Sequence, residues 1–182
     1  MNSLRIALVL ALAGSLLGAS STDASLAGVG KISFRMTVAD AKKAEPRLAR
    51  DADPEQSGPV GTLQLVVYRL DGQRFGELKG CTASLRFYND VLAEVLYDCG
   101  NKARTEAALG KRLGSPILDH AGSRIWKVGE DRTVSLALES GQFIVADAPI
   151  MEGIQLKIYQ AVLSGAAAGG TAAPGQAPPA AK

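Results

Sequence analysis

One histidine, two cysteines and a short alternating run of acids are the residues of this 182-residue chain whose types could do chemistry. His120 follows Asp119 between Pro116 and Gly122, and an imidazole beside a carboxylate has the makings of a general base. A hydrolase would also need a presented nucleophile, and no G-x-S-x-G turn exists here. The alternative for His120 is a solvated loop. Cys81 and Cys99 could form a structural disulfide or a reactive dithiol. Redox pairs usually sit as Cys-x-x-Cys at a helix start, which is absent, so a disulfide is expected. Asp51, Asp53 and Glu55 alternate as calcium ligands do, yet Pro54 intervenes and no glycine stands at the EF-hand position. One histidine and two bridged cysteines cannot furnish a zinc site, and the glycines are scattered singly instead of forming a phosphate cradle. The expectation is no catalytic set, no metal and no cofactor.

The cysteines must be positioned by the strands that carry them. Residues 81–87 alternate apolar and polar side chains, Asn89-Asp90 marks a turn, and Val91 to Tyr97 form the return strand. A three-residue loop centred on Asp90 places Cys81 opposite Cys99, Ala83 opposite Tyr97, Leu85 opposite Val95 and Phe87 opposite Ala93, all on one face. In the chain-entropy view, closing this segment by a disulfide contributes roughly 3 kcal/mol. The other face of the first strand carries Thr82, Ser84, Arg86 and Tyr88. Tyr and Arg are enriched at binding hot spots, so these four are the candidate partner-binding residues. The competing reading is a partly wet sheet surface or a face on which helices pack.

Around this hairpin the pattern predicts an α+β domain. Residues 25–30 read as a flexible lead-in to a short strand over 31–34. Thr37 is placed to cap a helix with Asp40 three residues on, Met36 can staple against Ala41, and Pro46 limits the helix. Arg50 to Pro59, with two prolines and three acids, reads as an exposed loop. Leu63 to Leu70 is an apolar strand closed by an Asp71-Gly72 turn, leading to a strand over 75–79. A helix over about 102–113 has Ala103, Ala107, Leu109 and Leu113 on its inner side, with Gly114 and Pro116 ending it. Strands are expected over 124–128, 133–139 and 142–147. Trp126 reads as a core anchor near the sheet edge with one indole N–H to satisfy. Ile150 to Leu163 carries both strand-like and helix-like spacing and is assigned to a helix. The whole is an antiparallel sheet of six or seven strands with two or three helices against it, arranged as two similar βα-meander halves.

Two short patterns resemble a known group. Met36-Thr37-x-x-Asp40-Ala41 resembles the helix entry, and Leu113-Gly114-Ser115-Pro116 followed by Trp126 resembles the helix exit and strand, of small bacterial envelope domains of the β-lactamase-inhibitor-protein-like type. That resemblance implies helices against an antiparallel sheet and a binding or assembly role in the envelope. The chain departs from the pattern at Arg35, where glycine is usual.

The termini add an address. Arg5 leads an apolar run from Ile6 to Leu17, ending in Gly18, Ala19, Ser20 and Ser21, as in a signal peptide spanning residues 1–24, with Ala19 or Ala24 at the cut. Its run is too short to span a bilayer, so no membrane span is expected after cleavage. The domain is assigned to 25–163 and a disordered Gly/Ala/Pro tail to 164–182. Net charge is +2 with acids and bases interleaved, which argues against nucleic acid as a partner. These features favour a periplasmic or secreted protein, of a Gram-negative bacterium, that binds another envelope or secreted protein without catalysis. An inhibitor or immunity-type protein using the Arg50 to Pro59 loop, and a small hydrolase using His120, are the alternatives.

Overall fold

Alternating apolar residues build a sheet only where both partners of each strand are supplied, and here eight strands follow one another across a single antiparallel sheet. The computed structural model describes residues 24–50, 57–60, 63–120 and 122–168. A helical turn α1 (Ala24–Ala27) leads into β1 (Gly28–Val29) and β2 (Ile32–Ser33), which form a small hairpin of their own. Helix α2 (Val38–Ala44) and strands β3 (Ala49–Arg50), β4 (Gly58–Val60), β5 (Leu63–Phe75), β6 (Leu78–Tyr88) and β7 (Val91–Asp98) follow. Helix α3 (Lys102–Leu113) precedes β8 (Leu118–His120), β9 (Ser123–Val128), β10 (Arg132–Ala137) and β11 (Phe143–Asp147), and α4 (Ala148–Ala168) closes the order. The large sheet has the order β3-β5-β6-β7-β11-β10-β9-β8, with β4 also on β5. Among the described residues it therefore has nine strands, where about six or seven were expected. The meander β5-β6-β7 and the meander β9-β10-β11 meet through their last strands, β7 and β11.

The helix ends follow local chemistry. Thr37 caps α2, its Oγ1 accepting the Asp40 N–H, and Glu45 ends it before Pro46. Asn101 caps α3 by accepting from the Arg104 N–H, and Gly114 at φ 75° terminates it. The inner side of α3 differs from expectation. Thr105, Ala108 and Leu109 are buried while Ala103 and Ala107 are exposed, because the helix is rotated about its axis to seat Leu109 and Ala108. The helical choice for the last element is correct, and α4 runs beyond Leu163 to Ala168, into what the sequence suggested was tail. Residues 1–23, which hold the signal-peptide assignment, and 169–182 lie outside the described residues.

Three further expectations need correcting. Residues 25–30 are no loose lead-in: Val29 is buried, and the Gly28 and Leu26 carbonyls accept bonds from the Tyr97 hydroxyl and Arg132 Nε. Asp71-Gly72 is no turn. Strand β5 continues through it as a bulge, with Gly72 at φ 71°, and the chain reverses instead at Gly76-Glu77. His120 lies on an edge strand, β8, and not in a loop. Of the expected Arg50–Pro59 loop, Arg50 pairs with Tyr68 and Gly58–Val60 pairs with β5, while 51–56 fall outside the described residues.

The core fills one face of the sheet, which we call inner. Helices α2 and α3 and the β1-β2 hairpin cover it through Ala41, Ala108, Leu109, Val29 and Ile32. At its centre Phe75, Tyr97 and Phe143 pack with centroids 4.8–5.3 Å apart. Trp126, 2% exposed, donates its indole N–H to the Gly114 carbonyl at 2.9 Å, so the strand residue satisfies the helix exit. Asp147 is fully buried at the end of β11. It accepts from Arg35 Nε at 2.8 Å, from Arg132 at 3.0 Å and from the Ile150 N–H at 3.2 Å, tying the N-terminal region, β10 and the start of α4 together. Arg35, at the position where the resemblance leads one to expect glycine, has φ 73°. Its side chain reaches the buried carboxylate from that left-handed conformation.

Candidate functional site

Cys81 and Cys99 form a disulfide between β6 and the residue after β7. Below it the register is the expected one for Ala83 with Tyr97 and Leu85 with Val95. It then shifts between Arg86 and Phe87, so that Phe87 faces Leu92 and not Ala93. The cause is the turn: Asn89 and Asp90 have φ 47° and 72°, a two-residue reversal, where a three-residue loop was expected. The extra residue is absorbed as a bulge that sends Ala93 to the outer face, against Leu63 and Ile154. The turn side chains are also used, since Asp90 accepts the Val38 N–H at the start of α2 and Asn89 accepts the Gln64 N–H.

The four candidate residues share the outer face, as the alternation of β6 requires. Their environments differ. The Thr82 hydroxyl donates to Asp71 at 3.0 Å. Arg69 and Thr82 together hold the Asp71 carboxyl below its ordinary range. Arg86 lies 3.5 Å from Glu94, and Tyr88 donates to the same Glu94 oxygen at 3.1 Å. Burial, with Glu94 adding to it, pushes the Tyr88 phenol up to about 12. Tyr88 also packs beside Leu63, Ala93 and Ile154 of the cluster that α4 joins through Ile150, Met151 and Ile158. One end of the outer face is therefore a helix-packing surface.

Among the described residues, α4 is the element that packs on this face, and the remainder carries a row of its own. In register across seven strands run Arg69, Ser84, Leu96, Ile144, Ser135, Ile125 and Leu118. The row spans about 29 Å at the usual strand spacing. Ser84, Leu96, Ile144, Ser135 and Ile125 are half-buried, and Leu118 is 48% exposed. Sequence reasoning found Ser84 but missed Leu96, Ile144 and Ile125, because the face of an isolated strand gives no sign of which strands will adjoin it. Their alternation with buried neighbours is the signal that was present.

The remaining chemical candidates come apart. Asp119 forms an ion pair with Arg124 at 2.9 Å, and Arg124 also meets Glu106 of α3, on the inner side. Strand alternation sends His120 to the outer side with Ser123, so the neighbouring carboxylate cannot orient its imidazole. Asp51, Asp53 and Glu55 lie outside the described residues, among which no group of three or more His, Cys, Asp or Glu side chains could hold a metal. No protein-family model, curated protein or solved structure matches the chain.

Proposed function

We propose that this chain is an exported, disulfide-braced module of the bacterial envelope that binds another protein through the outer face of its sheet. The observation that carries the reading is the row from Ser84 to Leu118, which sets half-buried Leu96, Ile144 and Ile125 and exposed Leu118 beside two serines, while two helices and a hairpin pack on the inner face. An apolar centre with a polar surround is the composition of a protein-binding patch. Arg86 and Tyr88 border it, held in place by Glu94. The disulfide is consistent with an oxidising compartment, and no helix among the described residues is long and apolar enough to cross a membrane. The N-terminal apolar run supports export, and the resemblance at Met36–Ala41 supports an envelope binding role.

The test is site-directed photocrosslinking of the full chain in the producing cell. A photoreactive residue at Leu96 or Ile125 is expected to capture a discrete protein, and one at exposed Lys43 of α2 is expected to capture none. Crosslinks from Lys43, with none from the two outer positions, would overturn the assignment of the outer face.

A further inference from the structure

Helix α4 is 21 residues long, about 31 Å at the usual rise, and its described seat on the sheet uses only the first half of that length. Among the described residues, Ile150, Met151, Ile154 and Ile158 are the α4 side chains that join Leu63, Ala93 and Tyr88. At the usual turn per residue, Leu156 and Tyr159 fall about 200° and about 140° round the helix from Ile154, on the side turned away from the sheet. They are 57% and 62% exposed, two of the four large apolar side chains that the described residues leave in water. After Lys157 the helix runs on as Ile-Tyr-Gln-Ala-Val-Leu-Ser-Gly-Ala-Ala-Ala, eleven residues without a charge. A helix takes most of its stability from packing an apolar face, and a surface exposed to water usually carries charges. Glu152 and Lys157 are the only charges on α4.

The stripe is complementary to itself. Leu156 and Tyr159 are spaced evenly about a point between residues 157 and 158, which is also the middle of Ala148–Ala168. Two copies of α4 laid antiparallel about a two-fold axis at that point overlap along nearly their whole length. Each copy's Leu156 then meets the other's Tyr159, the reciprocal contact that a two-fold interface requires. Antiparallel alignment also sets opposite ends of the helix dipoles together. The charges do not oppose it: the two Glu152 residues stand about 16 Å apart along the axis, and Lys157 lies about 60° from Ile154, on the sheet side. Two helices of this length, packed 8–10 Å apart as helix pairs usually are, bury on the order of 1,000 Å², the area at which a specific interface begins.

We propose that α4 is a dimerisation helix: a second copy of this chain docks on Leu156 and Tyr159, with the two helices antiparallel about a two-fold axis. A lipid surface fits less well. Helices that lie in a membrane interface set a cationic polar face opposite their apolar one, whereas the side of α4 opposite the stripe is apolar and seated on the sheet. Because Leu156 and Tyr159 point away from the sheet, they form a surface separate from the row of Leu96 and Ile125, and either surface can fail its test alone.

The experiment is sedimentation equilibrium of the full chain from Ser25 onward, over about 1 to about 300 µM. A reversible monomer–dimer equilibrium is expected, with a Kd on the order of 10 µM, and with a melting temperature that rises with protein concentration. The double variant Leu156→Glu, Tyr159→Glu changes two exposed side chains, so its circular dichroism should match the parent. Its Kd should rise at least about a hundredfold, because each carboxylate would be buried unpaired in the contact. In the otherwise unchanged chain, a photoreactive residue at Tyr159 is expected to give a product of twice the chain's mass. A parent that stays monomeric to about 300 µM would overturn the proposal, as would a folded variant that dimerises like the parent. So would crosslinking from Tyr159 to a protein of another mass alone, or binding to phosphatidylglycerol vesicles as a monomer.

Discussion

The two faces of the large sheet are built from the same strands and have opposite fates. On the inner face every second residue of β6, from Cys81 through Ala83 and Leu85 to Phe87, is fully buried under α2, α3 and the β1-β2 hairpin. On the outer face the intervening residues Thr82, Ser84, Arg86 and Tyr88 are only half-buried, and α4 covers one end through a cluster of three buried residues, Leu63, Ala93 and Ile154. A strand with period two can therefore assign stability to one side and leave the other to be shaped by contact with something else. Substitutions should separate the two accordingly.

The largest effect belongs to the inner aromatic cluster. Phe143, with no exposed surface and rings 4.8 and 5.0 Å away, should cost roughly 3–5 kcal/mol on replacement by alanine, measured by urea unfolding. A loss under about 1 kcal/mol would mean that the inner face is not where the free energy lies. Reducing Cys81–Cys99 should cost roughly 3 kcal/mol and lower the melting temperature; an unchanged melt in reductant would show that the β6-β7 ladder holds without it. On the outer face, Ile154→Ala should cost about 2 kcal/mol and Leu96→Ser no more than about 0.5 kcal/mol. A cost at Leu96 equal to that at Ile154 would place the open row under cover in solution and erase the contrast.

What could be read before folding was whatever rests on a few neighbouring residues. Thr37 with Asp40, the span of α3, its end at Gly114, and the pairing of Ala83 with Tyr97 are all local. The departures have specific causes. Asp71-Gly72 has turn chemistry, yet β6 offers β5 partners on both sides of it, and ladder bonds outweigh a local reversal. Ala93 changed face because one residue of turn length shifts the pairing of Val91 and Leu92, and the bulge at Ala93 restores the expected register from Val95 on. Ala103 and Ala107 carry the right period for an inner stripe, but the sheet below selected Thr105, Ala108 and Leu109. Of the candidate site, Thr82, Ser84, Arg86 and Tyr88 were placed on one face correctly. Leu96, Ile144 and Ile125 belong to the row only because β7 adjoins β11, a pairing across 46 to 52 residues that no window of sequence displays.

The Arg35–Asp147 pair joins positions 112 apart in the chain. Arg132 and the Leu26 carbonyl depend on the same corner, as does the start of α4. An emerging chain that has not yet released Asp147 can form the β5-β6-β7 meander, whose contacts are short-range, but cannot close this corner. Closure of this corner is therefore a late folding event with a high loop-closure cost, set by the arrival of the last strand. A chain whose last strand is still to come would therefore hold its N-terminal region by its bonds to β7 alone, with the Arg35 and Arg132 guanidiniums unpaired until Asp147 arrives.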